Sequence, residues 1–138
     1  MKILIMGLPG SGKTWLAERL RKYLDCAWFN ADSVRNMAND WNFDNASRTR
    51  QAYRMRNMAD YESGHGSIVI CDFVCPNEET RLAFKPDLVI WVDTIREGRF
   101  KDTNKVFVPP THCDIHIDTY LTDQEIERLA ERINNDVI

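Results

Sequence analysis

One residue into the chain an apolar run, Lys2–Met6, gives way to Gly7-Leu8-Pro9-Gly10-Ser11-Gly12-Lys13-Thr14. No other stretch limits the fold so strongly. The spacing G-x-x-x-x-G-K-[ST] is matched in full by Gly7, Gly12, Lys13 and Thr14. Residues 2–6 read as a buried strand that ends at Gly7. From Lys13 onward, Trp15, Leu16, Leu20 and Leu24 follow helical spacing, with Glu18, Arg19, Arg21 and Lys22 on the other side. A strand, a glycine loop and a helix in this order converge backbone N–H groups on phosphate oxygens. Gly10 and Gly12 let the backbone come close, and the positive end of the helix dipole points to the same place. On this reading Gly7, Pro9, Gly10, Ser11 and Gly12 cradle the phosphates of ATP, and Lys13 reaches the β and γ phosphates. The Thr14 hydroxyl helps to hold Mg²⁺.

Strand and helix signals then alternate. Cys26–Asn30 reads as a second strand, and Asp32 can cap a helix beginning near Ser33. Ser47 opens a longer helix through about Glu62, stopped by Gly64 and Gly66. Ser67–Asp72 and Leu88–Asp93 are β-branched runs that each end in aspartate, and Ile115–Ile117 is a last short strand. Thr122-x-x-Glu125 is a capping box before an amphipathic final helix. The alternation predicts one domain, residues 1–138, with a mostly parallel sheet of about five strands covered by helices on both faces. Ligands gather beyond the carboxyl ends of such strands, where the 7–14 loop, Asp32, Asp72 and Asp93 all fall.

Composition narrows the partners. A net charge of −3 argues against a general nucleic-acid coat protein, and there is no apolar run long enough for a membrane span. The N-terminal apolar run is too short for a signal peptide, and the glycine loop interrupts it. Cys26, Cys71, Cys75 and Cys113 lack paired metal-site spacing and read as buried thiols of a cytoplasmic protein. Trp41, Tyr53 or Tyr61 would mark a homodimer face if exposed, but as large apolar side chains they are expected to be claimed by the core first.

The glycine loop alone admits a kinase, a hydrolase or a nucleotide switch. Asn104-Lys105-Val106-Phe107 lacks the aspartate of a guanine reader, and a motor-type ATPase usually needs a longer chain, so a small kinase is favoured. On the acceptor side, Asp32 and Arg35 lie on one face of a starting helix. Asp32 can take a proton from an attacking hydroxyl, and Arg35 can grip an anion in a fork. Arg48, Arg50, Arg54 and Arg56 supply cations for a cleft or for a solvated helix face. Asp72 is placed to organise Mg²⁺, and Phe73 follows it into a loop. Residues 95–106 read as a short polar lid whose Arg96, Arg99, Lys101 and Lys105 can neutralise a transferring phosphoryl group.

Taken together these segments resemble the adenylyl-sulfate kinase family. Its Gly-Leu-Ser-Gly-x-Gly-Lys-Thr loop is similar to Gly7–Thr14, and its Asp-Gly-Asp-Asn-Val-Arg to Asn30–Arg35. Its Gly-Phe followed by Asp-Arg is similar to Asn42-Phe43 followed by Ser47-Arg48, and its Ser-Phe-Ile-Ser-Pro to residues 72–76. The resemblance implies a P-loop NTPase α/β/α sandwich that uses Mg²⁺ and ATP to phosphorylate the 3′-hydroxyl of adenosine 5′-phosphosulfate in sulfate assimilation. Phe43 and Phe73 would sandwich the adenine, Arg35 and Arg48 would grip the phosphosulfate, and Asp32 would assist the hydroxyl. Lys13, Asp32 and Asp72 are then the catalytic set, Thr14 and Asp72 the metal ligands, Arg96 and Arg99 part of the ATP site, and Gln51 and Lys105 part of the acceptor site. The sequence departs from the family at Asn30 (acidic there), Gln51 (asparagine), Asp72 (serine or threonine) and Cys75 (serine). Its lid and the stretch before the fourth strand are trimmed as in phage-encoded versions, which implies a host-cytoplasmic viral protein. Two other functions match parts of the pattern. One is a 5′-hydroxyl polynucleotide or nucleoside kinase, which also carries Asp-x-x-Arg. The other is a nucleotide-binding module without turnover.

Overall fold

The computed structural model describes residues 1–136. Five strands form one sheet: β1 (Lys2–Met6), β2 (Cys26–Asn30), β3 (Ile68–Asp72), β4 (Leu88–Val92) and β5 (Ile115–Ile117). Their order is β2-β3-β1-β4-β5, and every pairing is parallel. The helices are α1 (Lys13–Leu20), α2 (Ala31–Ala38), α3 (Asn45–Ser63), α4 (Glu78–Phe84), α5 (Lys101–Val106) and α6 (Asp123–Asn134).

Strand alternation divides the core in two. Ile3 and Ile5 of β1, Ile70 of β3 and Leu88, Ile90 and Val92 of β4 face α1 and α6. Leu4, Met6, Val69 and Cys71 face the other way, onto α2, α3 and α4. A strand buried on both faces reads as an unbroken apolar run, which is why Lys2–Met6 was legible without alternation. The result is the three-layer α/β/α sandwich of P-loop NTPases. The strand order reverses at β1, so the loop that follows β1 opens into the crevice at that switch point.

Several expectations need correction. The helix expected near Ser33 begins at Ala31, and its cap is Asn30, whose side chain accepts from Ser33 N at 3.0 Å. Asp32 lies within the first turn instead. The long helix begins at Asn45 rather than Ser47, with Asp44 as its N-cap residue. The strands expected from Ser67 and to Asp93 are Ile68–Asp72 and Leu88–Val92. The lid contains the short helix α5, and α4 was not foreseen. Trp41, Tyr53 and Tyr61 are exposed. Among the described residues no helix is long and apolar enough to cross a membrane.

Candidate active site

The glycine loop takes the strained shape its sequence allows. Gly10 and Gly12 have φ of 85° and 105°, a region that favours glycine. At Gly7 a Cβ would lie 2.4 Å from the Val92 carbonyl oxygen, and at Gly12 it would lie 2.8 Å from a ring carbon of Tyr120. The loop is braced from the segment after β4 by Thr94, whose hydroxyl donates to the Ser11 carbonyl. It is braced from the lid by Gly98, which is set against Pro9. Lys13 folds back over the loop, and its Nζ donates to the Leu8 carbonyl at 2.9 Å. Burial lowers the Lys13 ammonium to about 8, against the nearby charges of Asp72 and Asp32, which act to raise it.

Thr14, Asp72 and Asn30 meet at the ends of β1, β2 and β3. Residues 26, 28 and 30 of β2 share a sheet face with residues 68, 70 and 72 of β3, the face that α1 covers. The Thr14 hydroxyl donates to Asp72 Oδ2 at 2.8 Å. Asn30 Nδ2 donates to Thr14 Oγ1 at 3.2 Å and to Asp72 Oδ2 at 3.1 Å. Trp28 Nε1 donates to Asp72 Oδ1 at 2.7 Å. Burial pushes the Asp72 carboxyl up, opposed by these hydrogen bonds and by Lys13. A hydroxyl and a carboxylate oxygen in contact are hard donors suited to Mg²⁺. Among the described residues no cluster of three acidic, His or Cys side chains could hold a metal unaided.

Beside this pair lies a cavity of about 460 Å³, lined by Thr14, Glu18, Trp28, Asn30, Asp32 and Met37 among others, with no lysine or arginine among its lining residues. Asp32 is exposed on its wall. A second group forms where α2 meets α3. Arg35 lies over the Phe43 ring at 4.4 Å and Arg48 at 5.4 Å. Both guanidiniums are buried and hold backbone. Arg35 donates to the Asp40 and Asn42 carbonyls, while Arg48 donates to the Phe43 carbonyl at 2.7 Å and to Thr103 of α5 at 3.1 Å. Gln51 is buried and donates to the Ala31 carbonyl.

The remaining expected residues are dispersed. Phe73 is 6% exposed and packs edge-to-face on Phe84 at 5.4 Å, whereas Phe43 is half exposed. The two rings therefore sit in different environments. Arg50 and Arg54 both pair with Asp40, and hydrogen bonds from them hold its carboxyl down at about 2. Arg96 is tied to both oxygens of Asp93 at 2.8 and 2.9 Å. Arg99 lies over Phe100 and is close enough to Lys13 for its charge to oppose it. Lys101 and Lys105 are exposed on α5. His116 meets Asp93 at 2.8 Å and stacks on Trp91. All four cysteines are free thiols; Cys71 and Cys75 are buried, which raises Cys75 to about 12, but Cys26 and Cys113 are only partly covered, so the expectation of four buried thiols holds for two. Trp28 is the site residue that sequence reasoning missed. Its place two residues before Asn30 on one strand was the available signal.

Three solved structures illustrate the likeness. APE1195 is 22% identical with a TM-score of 0.83, covering 98% of this chain and 95% of its own. The APS kinase CysC of Mycobacterium tuberculosis, solved with AMPPNP and APS, is 17% identical with a TM-score of 0.76, covering 97% of this chain and 95% of its own. The shikimate kinase of Aquifex aeolicus is 15% identical with a TM-score of 0.67, covering 99% and 98%. At such identities the likeness establishes the fold. No curated protein sequence matches the chain. A family model described as an AAA domain (AAA_18) matches residues 3–138, so nearly the whole chain is accounted for, and the protein belongs to that family.

Proposed function

We propose that the chain is an ATP-dependent kinase for a small nucleotide acceptor, and that the acceptor is adenosine 5′-phosphosulfate, phosphorylated on its 3′-hydroxyl. The observation that carries this reading is the convergence of Arg35 and Arg48 on Phe43, at 4.4 and 5.4 Å. Two buried cations beside one half-exposed ring suit a base with an anionic tail. Backbone amides of residues 7–14 hold the donor phosphates, and Lys13 exchanges the Leu8 carbonyl for a phosphate oxygen. Asp32 receives the acceptor hydroxyl proton as the new O–P bond forms and the bond to ADP breaks. Arg99 approaches the transferring group from the lid. Mg²⁺, when bound at Thr14 and Asp72, neutralises phosphate charge. Phe43 takes the face of the base, while Phe73, packed on Phe84, supports the core beneath the site rather than forming the second side of a sandwich. A phage source, host-cytoplasmic location and a role in sulfate assimilation belong to the same proposal. They rest on the motif likeness and the trimmed lid.

The cavity favours a second reading. Glu18 and Asp32 line it without a cation, which suits an uncharged nucleoside hydroxyl, as in a 5′-hydroxyl kinase. Coupled ADP release separates the two. Adenosine 5′-phosphosulfate should give turnover, while adenosine and a 5′-hydroxyl oligonucleotide should not. The reverse pattern replaces the first reading with the second. Tight Mg-ATP binding with no ADP formed from any of the three points to a module without turnover.

A further inference from the structure

We infer that Trp28 is a positioning residue for Asp72, fixing which carboxylate oxygen faces the Thr14 hydroxyl and hence a bound cation. This rests on the reading of residues 7–14 as a nucleotide loop, but not on the identity of the acceptor. The strand register sets up the contact. Trp28 pairs with Ile70 and Asn30 with Asp72 across β2 and β3, so the indole stands one pair behind the carboxylate on the same face. Its N–H reaches forward to Asp72 Oδ1 at 2.7 Å, the shortest hydrogen bond to that carboxylate.

Asp72 is 2% exposed, so water has little access to either oxygen. With Oδ1 held by the indole, Oδ2 is the oxygen presented to Thr14 at 2.8 Å. Asn30 does not impose this choice, because its amide lies within 3.1 to 3.4 Å of both carboxylate oxygens. An indole N–H donates and never accepts, so the bond requires an ionised or acceptor oxygen and cannot invert. Phenylalanine in its place keeps most of the ring against the core and removes only the donor. The carboxylate is then free to turn, and the cation loses a fixed ligand.

The test measures ADP affinity by calorimetry, with chelator and with magnesium, for the native chain and Trp28→Phe. With chelator the two should agree within about twofold, because loop amides and Lys13 carry that binding. The gain in affinity on adding magnesium should fall about tenfold in the variant, the scale of one hydrogen bond to a charged group. Equal losses with and without magnesium would mean a merely structural role, and an unchanged magnesium gain would also overturn the inference. Failure of the native chain to bind ADP at all would remove the nucleotide reading itself and this inference with it. A second measurement covers poor folding of Trp28→Phe. In a chain carrying Trp15→Phe, Trp41→Phe and Trp91→Phe, the remaining indole should shift its emission when magnesium is added to the ADP complex. Adding Asp72→Asn should abolish that shift. An emission unmoved by magnesium, or a shift that survives Asp72→Asn, overturns the proposal.

Discussion

Replacing Asn30 by aspartate tests the electrostatics of the site most sharply. The amide of Asn30 lies 3.1 and 3.4 Å from the two oxygens of Asp72. Aspartate preserves the helix cap, since a carboxylate accepts from Ser33 N as the amide oxygen does. It inverts the other contact, so an attractive N–H···O pair becomes two facing carboxylates. Two unit charges about 3 Å apart repel by about 5 kcal/mol at an effective dielectric constant of about 20. Uptake of one proton relieves part of that, leaving a loss of about 2–4 kcal/mol. For a chain of this size each kcal/mol moves the melting temperature by about 3–4 °C, so the fall should be about 10 °C. The repulsion needs both groups ionised, so the deficit is small at acidic pH and grows as pH rises. Magnesium should reverse most of it, because two carboxylates make a stronger site than one. The assay is thermal denaturation with chelator and with magnesium, using Asn30→Ala as control. The alanine variant loses the cap and the amide bonds but gains no charge, so it should lose about 1–2 kcal/mol with no rescue by magnesium. Equal stability of Asn30→Asp and the native chain in chelator at neutral pH would refute the reasoning. So would an unchanged deficit in magnesium.

Three further outcomes are expected. Lys13, lowered to about 8 by burial, gives up its proton more readily than an exposed lysine, and a bound phosphate should hold that proton in place. Nucleotide binding should therefore take up a proton as pH rises through about 8, and affinity should decline above that point. Calorimetry in buffers of different ionisation enthalpy measures it. The same lowered value means the folded state resists protonation, so this group's contribution to stability improves as pH rises from about 8 towards 10.5. Arg48→Ala should cost about 1–3 kcal/mol by denaturant unfolding, because it leaves the Phe43 carbonyl unpaired and cuts the tie to Thr103. Arg48→Lys should not restore both, since only the fork reaches both. Gly12→Ala should abolish nucleotide binding in a fluorescence titration. Adding Tyr120→Ala removes the 2.8 Å collision but not the strain of φ 105°, so rescue should be partial.

Strand ends were legible where a residue type changes abruptly. β1 stops at Gly7, β2 at Asn30, and β5 was bounded to the residue. The last helix was legible through its reciprocal capping box, Thr122 with Glu125. Asn30 and Asp32 are equally good caps by type, and only the path of the chain leaving β2 decides that Asn30 takes Ser33 N. α4 escaped because seven residues, Glu78–Phe84, are too few to display a helical period. Arg35 and Arg48 illustrate a deeper limit. Spacing assigns an arginine to a helix face, but it does not reveal that the guanidinium will find backbone carbonyls. Those carbonyls belong to the turn at residues 40–43, whose geometry depends on the packing of α2 on α3. Phe73 is ambiguous for a related reason. One residue past a buried strand, it can point to a cleft or to the core, and Phe84 of the unforeseen α4 supplies the core partner.

The bonds within the site imply that binding is an exchange rather than a filling. Lys13 already has the Leu8 carbonyl, Thr14 has Asp72, and the two arginines have the turn at residues 40–43. Each phosphate or acceptor contact therefore gains only the difference between the new partner and the old one. Charge decides which exchanges are favourable. Lys13 trades a neutral carbonyl for an anion and should gain most, while Thr14 gives up a carboxylate and gains only where a cation enters between the two. That asymmetry orders the site. On the proposed reading the loop and Lys13 would take nucleotide without magnesium, whereas Thr14 and Asp72 would stay joined until a cation entered between them. It also explains why a buried carboxylate, costly in isolation, is tolerated here. Trp28, Thr14 and Asn30 all donate to Asp72, and Lys13 adds its charge from nearby.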